Sequence, residues 1–158
     1  MSRLSVLEKN QLSPEFTKHV ERAAVSGHAT VFRVLGHSPE MFQAYFQFYF
    51  PWHTSGSVEP VLKELVRLRI AQLNDCFTLK RGRFASAMQG GLTEEKIALR
   101  FAEHMALSHH EIDDDFFRML RAQFTDAQIV ELGMMIGQYI GFGRLLMVLD
   151  LERPVCTL

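Results

Sequence analysis

Cys76 and Glu64 are the two residues of this chain whose type and setting best suit them to chemistry. On a helix beginning near residue 76, Cys76 has Lys80, Arg81 and Arg83 within two turns. The helix dipole and these cations would both favour the thiolate, the nucleophilic form of cysteine. The competing reading is a small buried hydrophobe without reactivity. Glu64 has Leu62, Leu65 and Leu68 as neighbours. An apolar setting disfavours the charged carboxylate and raises its pKa towards general acid or base work. Against that stands an ordinary ion pair with Arg67 or Arg69. Arg83 cannot shuttle protons near neutral pH, but its guanidinium can clamp a carboxylate through two hydrogen bonds. Within the run Lys80-Arg81-Gly82-Arg83 it can equally lie on a solvated face.

An aromatic run, Tyr45, Phe46, Phe48, Tyr49, Phe50 and Trp52, leads into His53. Tyr49, Trp52 and His53 are candidate walls of a small-molecule pocket, with core packing as the alternative. His53 is the histidine to look for near Cys76, although a lone loop histidine ordinarily faces solvent. His104, His109, His110 and Asp113 match no metal-ligand spacing. With Glu111, Asp114 and Asp115 nearby, Asp113 reads as part of an acidic helix start. There is no glycine-rich dinucleotide loop, no Walker A segment and no nucleophile elbow. Neither a metal nor a cofactor is expected.

The elements that must position these residues are helices. Ser13-Pro14-Glu15 and Ser38-Pro39-Glu40 each place a capping serine before a proline and an acid in the first turn. Helices are predicted from there to about Ser26, then a short one to Leu35, and from Pro39 to Phe50, stopped by Pro51. His53 to Ser57 is predicted as a loop. Val58 to Asn74 has apolar residues around much of its circumference and is expected in the core. Further helices are expected from Cys76 to Gln89, from Thr93, and from Asp113 to Phe124. Thr125-Asp126-Ala127-Gln128 reads as a capping box for a last helix to about Leu149. That helix carries Gly133, Gly137 and Gly141, a spacing that suits close helix–helix approach within or between subunits. The fold class is all-α, as a single domain of seven or eight helices.

Composition narrows the function classes. The chain has 158 residues, 47% of them hydrophobic, enough for a buried core without disulfides. Seventeen basic against eighteen acidic residues leave no footprint for nucleic acid. Cys76 and Cys156 are the only cysteines, so no disulfide scaffold is expected. The most apolar stretch, Met41 to Trp52, is shorter than the roughly 20 residues of a membrane span. Met1 to Asn10 has no secretory pattern. A cytoplasmic protein without membrane association is expected.

The stretch from Glu64 to Cys76, ELVRLRIAQLNDC, followed by Gly91-Leu92-Thr93-Glu94-Glu95, resembles the carboxymuconolactone decarboxylase and AhpD-like alkylhydroperoxidase superfamily. Phe124 to Leu132 and Gly143-Arg144 resemble its C-terminal helix, so the likeness runs from about Met41 to Glu152. The resemblance implies an AhpD-like helical domain, a small-molecule substrate and a homo-oligomer, as dimer, trimer or hexamer. It gives Glu64 the place of the proton-relay glutamate. Aligning Cys76 with the first cysteine of the dithiol motif puts Leu79 at the second, in the pocket, and Arg83 at the motif histidine. Without a local resolving thiol, dithiol peroxidase chemistry is not expected; Cys156 lies eighty residues further on.

The leading expectation is therefore a cofactor-free enzyme performing acid–base chemistry on a small carboxylate or lactone-like substrate. Glu64 would transfer the proton, Arg83 would clamp the anion and Cys76 would be auxiliary. The alternatives are a one-cysteine hydroperoxide reductase using Cys76 and a catalytically lapsed oligomeric binding protein. Thiol labelling of the C156S variant across pH separates them. A reactive Cys76 half-labels well below the free-cysteine value of about 8.5. Half-labelling near that value removes the peroxidase reading.

Overall fold

The computed structural model describes residues 2–74 and 93–151. Among these are seven α-helices and two short 3-10 turns, with no strand, so the fold is all-α. The helices are α1 (Pro14–Ala24), α2 (Ala29–Leu35), α3 (Pro39–Thr54), α4 (Pro60–Leu73), α5 (Glu94–Leu107), α6 (Asp114–Arg121) and α7 (Asp126–Val148). The expected helix from Cys76 to Gln89 lies outside the described residues. Among the described residues no helix is long and apolar enough to cross a membrane.

Local capping chemistry sets most of the starts. Ser13 Oγ accepts from the Phe16 N–H at 3.2 Å, with Pro14 at the first helical position. Asp113 accepts from the Phe116 N–H at 2.8 Å, so the acidic residues before α6 do start a helix. The box before α7 is reciprocal: the Thr125 N–H reaches Gln128 Oε1 at 2.9 Å, and the Gln128 N–H reaches Thr125 Oγ1 at 3.3 Å.

One boundary differs from expectation in a way that matters for the site. Pro51 lies inside α3, which continues to Thr54, so His53 is helical rather than in a loop. Proline removes one backbone donor and crowds the preceding turn. Here the loss is followed at once by new bonds, because Ser55 donates both its N–H and its hydroxyl to the Pro51 carbonyl, at 2.9 and 2.6 Å.

The described chain forms two compact units, Met1–Phe50 with Arg144–Leu158, and Pro51–Gly143. In the first, Phe16, Val31, Val34, Leu35, Phe42 and Phe46 are buried, and the Phe32 and Phe46 rings meet at 5.3 Å. In the second, α4 buries Leu62, Lys63, Val66 and Ile70 against a core that includes Ile97, Phe101, Leu120, Leu132 and Ile136. The rest of α4 from Glu64 to Leu73 is half-buried, and only its start is open, with Val61 81% exposed. The helix is thus covered around most of its circumference, as its apolar pattern suggests, with a lysine on its most buried face.

The glycines of α7 do not mark a close approach among the described residues. A methyl group at Gly133 would touch the Phe101 ring at an ordinary 3.5 Å, and one at Gly137 would meet nothing within 4 Å. Gly56 is the reverse case: its φ is +103°, and a Cβ there would lie 2.4 Å from Glu131 Oε1. Two substitutions of identical chemistry should therefore move stability in opposite directions. Gly137→Ala should stabilise by about 0.5–1 kcal/mol, the cost of glycine within a helix. Gly56→Ala should destabilise by more than that. Urea midpoints of the two variants give the test, and a destabilising Gly137→Ala would mean that face is occupied.

Candidate active site

The second unit contains a buried charge pair that no local pattern announces. Lys63 has a side chain 0% exposed, and its Nζ donates to Glu131 Oε1 at 2.7 Å, to the Trp52 carbonyl at 2.6 Å and to the Ser55 carbonyl. Three ammonium protons meet three acceptors. Glu131 in turn accepts from the Ser57 N–H at 2.7 Å, the Ser57 hydroxyl at 2.6 Å and the Val58 N–H at 3.2 Å. Burial pushes the Glu131 carboxyl up, but the Lys63, Ser57 and Val58 hydrogen bonds outweigh it and bring it down to about 2. Gly56 lets the backbone pass against that carboxylate. The end of α3 and the start of α4 are thereby tied to α7.

Above this knot, α3 presents His53, α4 presents Glu64 and Arg67, and α7 presents Tyr139. Tyr139 is 5% exposed, and its hydroxyl lies 2.9 Å from His53 Nδ1 with the rings edge to face. His53 Nε2 is 3.5 Å from Glu64 Oε2. Arg67 grips Glu64 from the other side, Nε to Oε2 at 2.7 Å and a terminal nitrogen to Oε1 at 2.6 Å. His53 and Glu64 both open into a shallow recess of about 350 Å³, whose other walls are Thr54, Pro60 and Val61.

The electrostatics of Glu64 reverse the expectation of a raised carboxyl. Partial burial does push it up, but the two hydrogen bonds from Arg67 and the neighbouring His53 prevail and bring it down to about 2. Glu64 is therefore an anion at neutral pH. It can accept hydrogen bonds and stabilise a cation, but it holds no proton to give. An imidazole beside a fixed carboxylate is better suited to carry the proton, since the carboxylate stabilises the imidazolium that forms. The Tyr139 hydroxyl can donate to a bare Nδ1 or accept from a protonated one, so His53 can present Nε2 as acid or as base.

Residues 39–110 match the carboxymuconolactone decarboxylase family. Two solved structures share the fold across almost the whole chain. An alkylhydroperoxidase AhpD core, an uncharacterized peroxidase-related protein from Ralstonia eutropha JMP134, superimposes with a TM-score of 0.75 at 17% identity, covering 96% of this chain and 92% of its own. An uncharacterized peroxidase-related protein from Silicibacter sp. TM1040 does so with a TM-score of 0.72 at 16% identity, covering 97% and 93%. The chain thus has an AhpD-like fold and, over residues 39–110, resembles the carboxymuconolactone decarboxylase family. No curated protein matches it by sequence.

Of the residues that this superfamily resemblance and the sequence singled out, the structure brings Glu64 and His53 together. Trp52 contributes its carbonyl to Lys63, and its side chain, 46% exposed, is not among the walls of the recess. Tyr49 belongs to the first unit, with its ring stacked on Tyr45 at 5.5 Å. Cys76, Leu79, Arg83 and Cys156 lie outside the described residues. Of the two partners considered for Glu64, Arg67 is the one it has; Arg69 pairs with Glu103. Sequence reading missed Tyr139, Lys63 and Glu131. A lysine beside Leu62 and Val66, on the buried stripe of an apolar helix, was the one available signal.

The depressed Glu64 carboxyl has a definite pH signature. Its folded-state pKa lies below the unfolded value, so its contribution to stability is present above about 4.5 and is lost as pH falls through about 2. Glu64→Gln should be less stable than wild type at pH 6, and the difference should shrink between pH 4.5 and pH 2. Chemical denaturation across that window tests this; a constant difference would contradict it.

Proposed function

We propose that this protein is a cofactor-free enzyme that moves a proton on a small lactone-like substrate, with His53 as the proton-transfer group. The observation that carries the proposal is the continuous chain Tyr139–His53–Glu64–Arg67, two members of which line one recess. Glu64 orients the imidazole and stabilises its cation, Arg67 fixes Glu64, and Tyr139 holds the opposite ring nitrogen. Pro60 and Val61 give the recess apolar walls suited to a small ring. An ionised Glu64 repels a free carboxylate placed directly beside it. This favours a neutral lactone-like end there, and Arg83 is kept as the proposed clamp for any substrate carboxylate. Cys76 is auxiliary in this reading, and Leu79, Tyr49 and Trp52 carry no part of its argument.

A second reading is supported by the peroxidase-related structural neighbours: a hydroperoxide reductase in which Cys76 attacks the peroxide oxygen and an external thiol resolves the sulfenic acid. The two readings make opposite demands on two residues. A panel of carboxymuconolactone-type lactones and cumene hydroperoxide with dithiothreitol is assayed with wild type, His53→Gln and Cys76→Ser. The acid–base reading expects lactone turnover that falls about 10²- to 10⁴-fold in His53→Gln and survives in Cys76→Ser. Peroxide consumption abolished by Cys76→Ser, without lactone turnover, would establish the second reading in its place.

A further inference from the structure

The recess residues account for neither the fully buried Lys63 nor the carboxylate it meets. We infer that Lys63 and Glu131 are positioning residues for His53: their buried pair fixes the backbone on both sides of the imidazole and so aims its Nε2 at Glu64 and the recess. The inference rests on the acid–base reading for its catalytic consequence, but its structural part stands independently.

The geometry is specific to this segment. Lys63 Nζ holds the carbonyls of Trp52 and Ser55, which bracket His53 and Thr54 in the chain. Glu131 holds the N–H groups of Ser57 and Val58, and Gln128 Nε2 adds a bond to the Ser57 carbonyl at 3.0 Å. Trp52, Ser55, Ser57 and Val58 are thus tied to the pair, and Gly56 is packed against it. His53 and Thr54, between the two held carbonyls, line the recess.

A simple structural staple would not need this chemistry. Replacing a buried ion pair by apolar residues of similar size is often neutral or stabilising, so burial of two charges is weak evidence of a role in stability. A saturated polar network, by contrast, permits one arrangement of the groups it binds. Two of its directional bonds end on the carbonyls of Trp52 and Ser55, on either side of the imidazole in the chain. Tyr139 and Glu131 also share α7, eight residues apart, so one helix both anchors the segment and receives His53 Nδ1. Orientation errors of about 1 Å at a reacting group can cost about 100-fold in rate, which is the scale at which such a device acts.

The test uses the full chain labelled with ¹⁵N-histidine, comparing wild type with Glu131→Gln and Ser57→Ala, each shown to be folded by its thermal transition. In wild type the two His53 nitrogens should give well-separated ¹⁵N shifts, because each has its own fixed partner. Glu131→Gln should draw them together, Ser57→Ala should do so to a smaller degree, and a Ser57→Thr variant should restore part of the separation. Lactone turnover should fall about 100-fold in kcat with little change in KM for Glu131→Gln. Unchanged His53 shifts in folded Glu131→Gln overturn the inference. Should Glu131→Gln fail to fold, unchanged shifts in Ser57→Ala overturn it equally. Shifts that converge while His53→Gln leaves turnover intact support the positioning and reject the acid–base reading instead.

Discussion

The contact between Lys63 and Glu131 is the constraint on which the functional end of this molecule depends. Both groups are charged and almost wholly removed from water, a state that is costly unless each proton and lone pair is matched. Here the matching is done by the backbone of residues 52–58. The desolvation cost of the pair therefore becomes a condition on the chain: the end of α3, the turn at Gly56 and the start of α4 must take this one path. His53 lies on that path and Glu64 directly follows Lys63 on α4, so the two inherit their relative placement from it.

That placement changes what the carboxylate can do. A glutamate among leucines suggests a proton held by desolvation. In the folded chain, Glu64 has two guanidinium hydrogen bonds and an imidazole neighbour, and these outweigh its partial burial. The proton-handling group of the recess is accordingly the imidazole, with a phenol on one side that can give or accept a hydrogen bond. Arg67 looks like a competitor for Glu64, yet it has a second consequence. By fixing both carboxylate oxygens it keeps the charge beside His53.

The legibility of the chain follows the range of the interactions involved. The starts of α1, α6 and α7 could be read because Ser13, Asp113 and the Thr125–Gln128 pair act on N–H groups three residues away. The likeness to the family could be read because its motif is one continuous stretch of sequence within residues 39–110. Pro51 misled, because the bonds that carry α3 past it come from Ser55 and from Lys63 on another helix. Arg67 was within reach of a sequence argument, being one turn from Glu64. Tyr139 and Glu131 were not: they lie 86 residues from His53 and 68 from Lys63, and nothing in the intervening composition pairs them.

If Tyr139, His53 and Glu64 work as one chain, the loss of its two ends cannot be independent. A double-mutant cycle of Tyr139→Phe and Glu64→Gln, read in kcat on the lactone substrate, measures this directly. Action through the same imidazole predicts that the double variant loses little more than the worse single variant. Losses that multiply, each variant contributing its full factor in the presence of the other, would contradict the account.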